Sequence, residues 1–445
     1  MNHDIILWLQ IILKERFGHS FAIHLTHSGY ELRLVDSKEG KIIFPNINPL
    51  FLESHSNGPC THWDAESEGW SSVLGSPLHA PNAQGLPKRV VEHSADGYVI
   101  HYDILGLTYW MLNRIEEIGR ADLDNHQRFP ATSSHAYQHG YLERPIVDEW
   151  LHILGQVIQK TWPTIELKKH QFSMKVSHDV DRPSRYSFRD FKGLVRAIGG
   201  DIINQHQITS LWKAPWIKLN TKRQLHSQDP YNTFDWIMTH SEKVNLKSAF
   251  YFICGGIHQN DADYDISHPV IRSLLREVHA RGHEIGLHPS YDTYLNSLKL
   301  KEEFHYLKKI CNEEGIQQKN WGGRMHYLRW EHPTTLQAWE DAGLNYDTTL
   351  SYADRPGFRC GTCFEYPAFN PLTQEILNIR IRPLIVMEAS ILSPQYLGLI
   401  GKNGAVSKIL ELKSKCQLVE GSFTILWHNS EFNKQNKAIY KKVIS

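Results

Sequence analysis

Five short segments each end a hydrophobic run with residues that can hold or assist a metal ion. They are residues 177–181, 286–290, 324–326, 347 and 426–429. Alternate side chains of an extended strand share a face. Three pairs should therefore project together: Asp179 with Asp181, Arg324 with His326, and His288 with Ser290. Carboxylates and imidazoles are common metal ligands, so the pattern predicts a metal-dependent hydrolase with one cavity that collects these side chains.

Asp179 and Asp181 form the most informative pair. Beside a cation, one carboxylate can bind the metal while the other accepts a proton from the attacking water. An isolated Asp-x-Asp sequence is more often an acidic turn, but the neighbouring clusters favour chemistry here. His288 follows a strand-like run and precedes Pro289, so a ligand at the exit of a strand is the natural interpretation.

Two further residues could serve the reaction without binding the metal. The guanidinium group of Arg324 can orient the Asp179 carboxylate and keep its pKa low. His428 ends the last strand-like run and could protonate a departing amine, although a histidine there could also simply hydrogen-bond a neighbouring loop. Ser177, His178 and Asp179 have the residue types of a catalytic triad, but on a strand His178 should point away from the other two.

Composition limits the function classes. A chain of 445 residues favours two domains. Lys plus Arg equals Asp plus Glu at 48 each, which argues against binding to nucleic acid or an anionic membrane and suits an uncharged, polar substrate. The N-terminus is typical of a helix rather than a signal peptide, and no apolar run is long enough for a membrane span. Six scattered cysteines predict no disulfide framework, so we expect a cytoplasmic protein.

The elements that must position these residues fall into two regions. Residues 1–165 mix helical and strand patterns and predict a smaller α+β domain, with helices at 8–17 and 107–118 and strands within 21–34 and 41–44. Residues 170–445 alternate strand and helix, which predicts an α/β fold with parallel strands and crossover helices, closed or nearly closed as a barrel. The predicted strands are 172–178, 247–254, 284–288, 321–327, 346–351, 376–387 and 422–427. Polar clusters follow these strands at the end that is catalytic in such barrels, and residues 186–229 are an insertion near the mouth.

Taken in order, the five segments resemble the motifs of the polysaccharide deacetylase family, also called the NodB homology domain, over roughly residues 170–430. Members are distorted (β/α) barrels that use a divalent metal to remove acetyl groups from N-acetylated sugars. The resemblance implies roles for five residues: Asp179 as catalytic base, Asp181 and His288 as metal ligands, Arg324 as the partner of the base, and His428 as catalytic acid. The leading region resembles the uncharacterised N-terminal domain found in a subset of these proteins.

The chain departs from that family in the second motif, where members usually have two histidines separated by three residues. Here His288 is followed four residues later by Asp292. Either Asp292 replaces the missing ligand or His326 supplies it from the adjacent strand. We favour His326, because it should share a strand face with Arg324 and would preserve one carboxylate and two imidazoles around the metal.

We therefore predict a metal-dependent hydrolase that removes an N-acetyl group from a sugar or an oligosaccharide precursor in surface-polysaccharide metabolism, with zinc as the first choice of metal. Two alternatives remain: hydrolysis of a non-sugar amide at the same site, and a catalytically degenerate carbohydrate-binding or scaffold protein. The presence of base, partner and acid together argues against the last, since binding alone needs none of them.

Overall fold

The computed structural model of the protein describes residues 2–27, 29–256, 258–399 and 402–445. Its α-helices there are α1 (His3–Phe17), α2 (Ile104–Leu112), α3 (His135–Gln138), α4 (Ile146–Thr161), α5 (Phe191–Gln205), α6 (Ser210–Asn220), α7 (Phe234–Lys243), α8 (Pro269–Ala280), α9 (Ser297–Glu313), α10 (Thr334–Ala342), α11 (Glu388–Leu392), α12 (Lys402–Leu418) and α13 (Lys434–Ile444). Its strands are β1 (Phe21–Leu25), β2 (Tyr30–Leu34), β3 (Lys41–Phe44), β4 (Cys60–Trp63), β5 (Leu78–Pro81), β6 (Val91–Ser94), β7 (Gly97–Ile100), β8 (Ser173–Val180), β9 (Ser248–Ile253), β10 (Glu284–His288), β11 (Gly322–Gly323), β12 (Tyr346–Asp347), β13 (Tyr366–Asn370), β14 (Glu375–Ile381), β15 (Val386–Met387) and β16 (Ser422–Leu426).

The N-terminal region is built on a five-stranded sheet in the order β1-β2-β3-β7-β6. Helix α1 begins where the Asn2 side chain accepts a hydrogen bond from the Ile5 amide and ends at Gly18, which adopts the left-handed conformation. The helix predicted at 107–118 instead stops at Leu112, because Arg114 takes a left-handed backbone conformation and a short 3₁₀ turn follows. Residue 28, within the predicted strand segment 21–34, lies outside the described residues.

The C-terminal region is built on a nine-stranded sheet in the order β13-β14-β12-β11-β10-β9-β8-β16-β15. The ladders are parallel except for the edge pair β13 and β14. The large parallel sheet with intervening helices confirms the predicted α/β class. Between the edge strands β13 and β15 no ladder forms in the described parts of the chain, so the predicted closure into a barrel is not seen.

Two predicted strands differ from the observed ones. The strand predicted at 376–387 divides into β14 and β15 around Pro383, which lacks the amide hydrogen that a ladder needs. The strand predicted at 321–327 is reduced to the pair Gly322–Gly323. A Cβ atom on Gly323 would lie 1.8 Å from the Leu287 carbonyl oxygen, so only glycine lets β11 approach β10 this closely.

Apolar side chains of both regions form one continuous core. The indole of Trp8, on α1, is fully buried and donates to the carbonyl of Pro367 on β13 at 2.9 Å. Within the described segments, no helix has both the length and the apolar character required to cross a membrane.

A buried charge network also joins the two regions. Glu117 accepts hydrogen bonds from Arg114 at 2.8 Å and from Arg359, which lies in the C-terminal region, at 3.0 and 2.5 Å. Arg114 additionally pairs with Glu116 and donates to the hydroxyl of Tyr352 at 3.1 Å. Burial alone would raise the pKa of Glu117, but the two guanidinium groups lower it to about 2.

We expect Glu117→Gln to reduce the free energy of unfolding by about 3–5 kcal/mol, because it leaves two buried guanidinium groups with one carboxylate fewer. Since the folded-state pKa lies below the unfolded value of about 4.3, the stabilisation is complete above that pH and is lost as the pH falls toward 2. Urea unfolding of both proteins across this pH range should therefore show the difference shrinking toward low pH.

Glu166→Gln provides the control. Glu166 pairs with Lys169 at 3.3 Å, but both side chains are more than four-fifths exposed, so its removal should cost about 1 kcal/mol or less. Equal losses for the two variants would contradict the role of the buried network.

Candidate active site

The carboxyl ends of neighbouring parallel strands bring the predicted residues together. Asp179 lies near the end of β8 and Asp181 follows that strand directly, while His288 is the last residue of β10. Strand β9 separates β8 from β10 in the sheet. His428 follows β16, the neighbour of β8 on its other side.

Asp181, His288 and His326 form a compact group. One potential ligand atom from each lies within 4.8 Å of the other two. Nε2 of His288 is 3.2 Å from Oδ1 of Asp181, and Nε2 of His326 is 3.8 Å from the same oxygen. All three atoms therefore face a common point.

The opposite ring nitrogens of both histidines are already engaged. Nδ1 of His288 donates to the carbonyl oxygen of Arg324 at 2.6 Å, and Nδ1 of His326 donates to Oδ1 of Asp261 at 3.4 Å. Such outer hydrogen bonds set the tautomer and leave the Nε2 lone pairs directed at the common point. Oδ1 of Asp181 is buried there and accepts no hydrogen bond from the described residues.

This donor set fits a divalent metal. Two imidazoles and one carboxylate are a common ligand set of catalytic zinc sites and suit other first-row metals as well. Burial alone would raise the pKa of Asp181, but the facing imidazoles of His288, His326 and His428, when they are protonated, hold it well below its usual range. The carboxylate is therefore ionised and ready to bind a cation.

Asp179 is held by Arg324 rather than by the metal group. Nη1 of Arg324 donates to Oδ1 of Asp179 at 2.7 Å, and Nη2 donates to Oγ of Ser177 at 2.8 Å. Nε of Arg324 donates to the carbonyl of Thr348 at 3.0 Å. The other oxygen of Asp179 lies 3.8 Å from Nε2 of His288, so this buried carboxylate borders the ligand group with one oxygen uncommitted to Arg324.

His428 lies beside the other carboxylate oxygen of Asp181. Its Nε2 is 3.7 Å from Oδ2 of Asp181, and its Nδ1 donates to the buried carboxylate of Glu388. Burial alone would lower the pKa of His428, but Glu388, together with Asp181 and Asp179, raises it to about 10. The imidazole therefore holds a proton that faces the ligand group.

Three residues of the predicted segments do not reach this cavity. Asp292 has a half-exposed side chain 3.8 Å from Arg329 and is not part of the ligand group. Ser290 is fully buried against Glu303 instead of sharing a cavity with His288. Asp347 is also fully buried, its hydrogen bonds go to Thr349, and burial raises its pKa to about 6.

The route by which His326 arrives differs from the prediction. Strand β11 ends at Gly323, so Arg324 and His326 do not share a strand face. His326 instead begins a short 3₁₀ turn in which Tyr327 and Leu328 both have positive φ, 60° and 55°. Left-handed backbone at bulky residues costs about 1–3 kcal/mol each and persists only where the surroundings enforce it.

The N-terminal region helps to enforce this turn. Nη1 of Arg128 donates to the carbonyl of Tyr327 at 2.8 Å, and Nδ1 of His126 lies 2.9 Å from the hydroxyl of Tyr291. Nε of Arg329 donates to the carbonyl of His126 at 2.9 Å. A loop of the N-terminal region is therefore part of the structure around His326.

The group opens into a cavity of about 330 Å³. Its walls combine the charged residues already described with aromatic and apolar side chains, and they include Arg128, Arg182, Tyr231, Tyr327, Leu328, Met387, Tyr396, Leu426 and Glu431. Enclosed, partly apolar cavities with a few converging polar groups are typical of sites for small molecules.

Sequence reasoning missed Asp261 and Glu388, the partners of His326 and His428. Glu388 follows β15 directly, so the rule that polar residues at strand ends face the cavity could have found it. Asp261 lies in a loop outside the strands, and no local pattern marks it.

Comparison with known proteins gives a partial match. Residues 3–163 match the model of a family of unknown function (DUF7033). No curated protein matches the chain. A structure described as a candidate polysaccharide deacetylase from Mycobacterium smegmatis is 11% identical, with 62% of this chain and 84% of that one covered and a TM-score of 0.39. The Puue allantoinase is 12% identical, with 64% and 85% covered and a TM-score of 0.36.

We expect His326→Ala to weaken zinc binding at least about 100-fold, because loss of a ligand should exceed the roughly 10- to 100-fold effect of losing an outer partner. Asp292→Ala is the matched control and should bind zinc as the wild type does, since its half-exposed side chain lies beside Arg329 and is not part of the ligand group. Competition against a chromophoric chelator measures both affinities. If Asp292→Ala lost zinc affinity and His326→Ala kept it, the third metal ligand would be Asp292 and not His326.

Proposed function

We propose that the protein is a metal-dependent amide hydrolase that removes the acetyl group from an N-acetylated sugar precursor. The observation that carries this proposal is the arrangement around Asp181. A ligand group of one carboxylate and two imidazoles is bordered by a carboxylate held by Arg324 and by a protonated histidine held by Glu388. A base and an acid beside a cation site are the requirements of amide hydrolysis.

Asp181, His288 and His326 would hold the cation, and the bound cation would supply Lewis acidity for the amide carbonyl and the attacking water. Asp179 would accept the proton from that water, since its Oδ2 borders the ligand group while Arg324 fixes its other oxygen. His428 would donate its proton to the nitrogen of the departing amine.

The cavity walls support a sugar as substrate. Tyr231, Tyr327 and Tyr396 line the cavity, and a tyrosine offers an apolar ring face together with a hydroxyl group. A sugar ring has the matching combination of C–H faces and hydroxyl groups. The cavity volume of about 330 Å³ suits a small ligand or the end of a longer one.

We expect the zinc-loaded protein to release acetate from at least one member of a panel of N-acetylated sugars and sugar nucleotides. Removal of the zinc should abolish this acetate release. Asp179→Asn should keep its zinc while losing about 10²- to 10⁴-fold in kcat, because the base is needed for turnover and not for binding. An acetate assay and metal analysis on the same samples test both statements.

The outcomes separate the alternatives. Loss of zinc from Asp179→Asn would mean that the roles of the two carboxylates are exchanged. Zinc binding without acetate release from any member of the panel would contradict the proposed substrate class.

We expect His428→Ala to depress turnover of an amide strongly while sparing an activated ester of the same acyl group. An amine leaves poorly unless it is protonated, whereas the leaving group of an activated ester needs little protonation. Glu388→Gln should show a weaker effect in the same direction, because it removes the charge beside His428 and keeps a hydrogen-bonding group. Unchanged amide cleavage by His428→Ala would refute the acid assignment.

A further inference from the structure

The insertion after the first strand of the large sheet carries an unusual surface. We define the hairpin as residues 191–220, which comprise α5 and α6. Of the 21 large apolar side chains that are exposed in the described part of the chain, eight belong to it. They are Phe191, Val195, Ile203, Ile208, Leu211, Trp212, Trp216 and Leu219.

These exposed side chains do not belong to the hydrophobic core of the hairpin. The hairpin already has a small core of its own, separate from the main one, in which Leu194 and Ala197 of α5 meet Ala214 and Ile217 of α6. The exposed apolar residues lie outside it: Phe191 is 79% exposed, Trp212 59% and Leu219 73%. A concentration of this kind on a folded surface marks a place of contact with another body.

The hairpin and the three residues that follow it are strongly basic. Residues 191–223 contain four lysines, two arginines and one aspartate, a net charge of +5 in a chain whose total is zero. Lys192, Arg196, Lys213, Lys222 and Arg223 are exposed, and no carboxylate of the described residues pairs with them. The neutrality of the whole chain, which argued against an anionic partner, therefore conceals a local excess of positive charge.

We propose that the hairpin docks on an anionic lipid surface, with its apolar side chains in the interfacial layer and its basic side chains against the headgroups. Helices that combine exposed Trp, Phe and Leu with Lys and Arg bind membranes in this way, lying in the interface without crossing it. A second copy of the chain fits less well, because a two-fold contact through the hairpin would bring two surfaces of the same charge together.

The hairpin is fixed to the rim of the candidate active site. Asp201 of α5 pairs with Arg185 and accepts from the hydroxyl of Tyr186 at 2.7 Å, just beyond Arg182. Nδ2 of Asn429 donates to the carbonyls of both Arg182 and Tyr231 at 2.9 Å. Arg182 and Tyr231, which line the cavity, therefore stand at the two ends of the insertion that carries the hairpin.

The test measures binding alone and does not depend on the proposed hydrolase activity. The full-length protein is mixed with vesicles of phosphatidylcholine, or of phosphatidylcholine with about 30% phosphatidylglycerol, and bound protein is separated by flotation. We expect binding to the anionic vesicles at least about tenfold tighter than to the neutral ones, weakening as salt rises from about 0.1 to 0.5 M.

The double variant Trp212→Ala, Leu219→Ala should lose most of the binding to anionic vesicles. The double variant Lys213→Gln, Lys222→Gln should lose the preference for anionic over neutral vesicles. The matched control is Leu298→Ala with Leu372→Ala, which alters two equally exposed leucines elsewhere and should bind as the wild type does. All four substituted side chains, three in the hairpin and Lys222 just after it, are exposed, so circular dichroism should show unchanged folding.

Three results would overturn the proposal. The first is equal binding of the wild-type protein to neutral and anionic vesicles, and the second is a loss of vesicle binding in the control variant as large as in the Trp212→Ala, Leu219→Ala variant. The third is the absence of vesicle binding together with a dimer, seen by light scattering, that the Trp212→Ala, Leu219→Ala double substitution abolishes.

Discussion

The site depends on the hydrogen bonds that the buried guanidinium group of Arg324 makes. Its side chain joins Asp179 and Ser177 of β8 to the carbonyl of Thr348 beyond β12, and its own carbonyl orients His288. A charge that is 1% exposed is tolerable only when its donors are satisfied, and this requirement fixes the strands relative to one another. The same side chain thus positions the proposed base and, through the backbone, a proposed metal ligand.

The N-terminal region contributes to the site as well as to the core. Arg128 donates to the carbonyl of Tyr327 in the turn that carries His326, and Arg128 itself lines the cavity. The network of Arg114, Glu117 and Arg359 holds the two regions together in the interior. A turn with two bulky residues at positive φ needs such support, which gives a physical reason for the two regions to share one chain.

Charge in this protein is organised locally. Around Asp181, acidic and basic groups face each other in a buried setting, where Coulomb interactions are strong and pKa values shift far. On the hairpin, basic groups stand in solvent beside apolar side chains and have no acidic partners among the described residues. The net charge of the whole chain reveals neither the buried charge pairs around Asp181 nor the basic surface of the hairpin. Both depend on the positions and burial of the charged groups, whereas the net charge depends only on how many there are.

The parts of the site that follow from strand periodicity could be predicted from the sequence. Asp179 lies near the end of β8 and Asp181 directly follows that strand, His288 ends β10, and the boundaries of β10 at 284–288 follow from a short apolar run. Tertiary structure alone decided that His326 arrives through a strained turn, that Asp261 and Glu388 orient the two histidines, and that Ser290 and Asp347 turn away into other partners. It also decided that the sheet, in the described residues, has separate edge strands. Local periodicity can state which side of a strand a residue faces, whereas contacts between residues tens of positions apart depend on how the strands and loops pack.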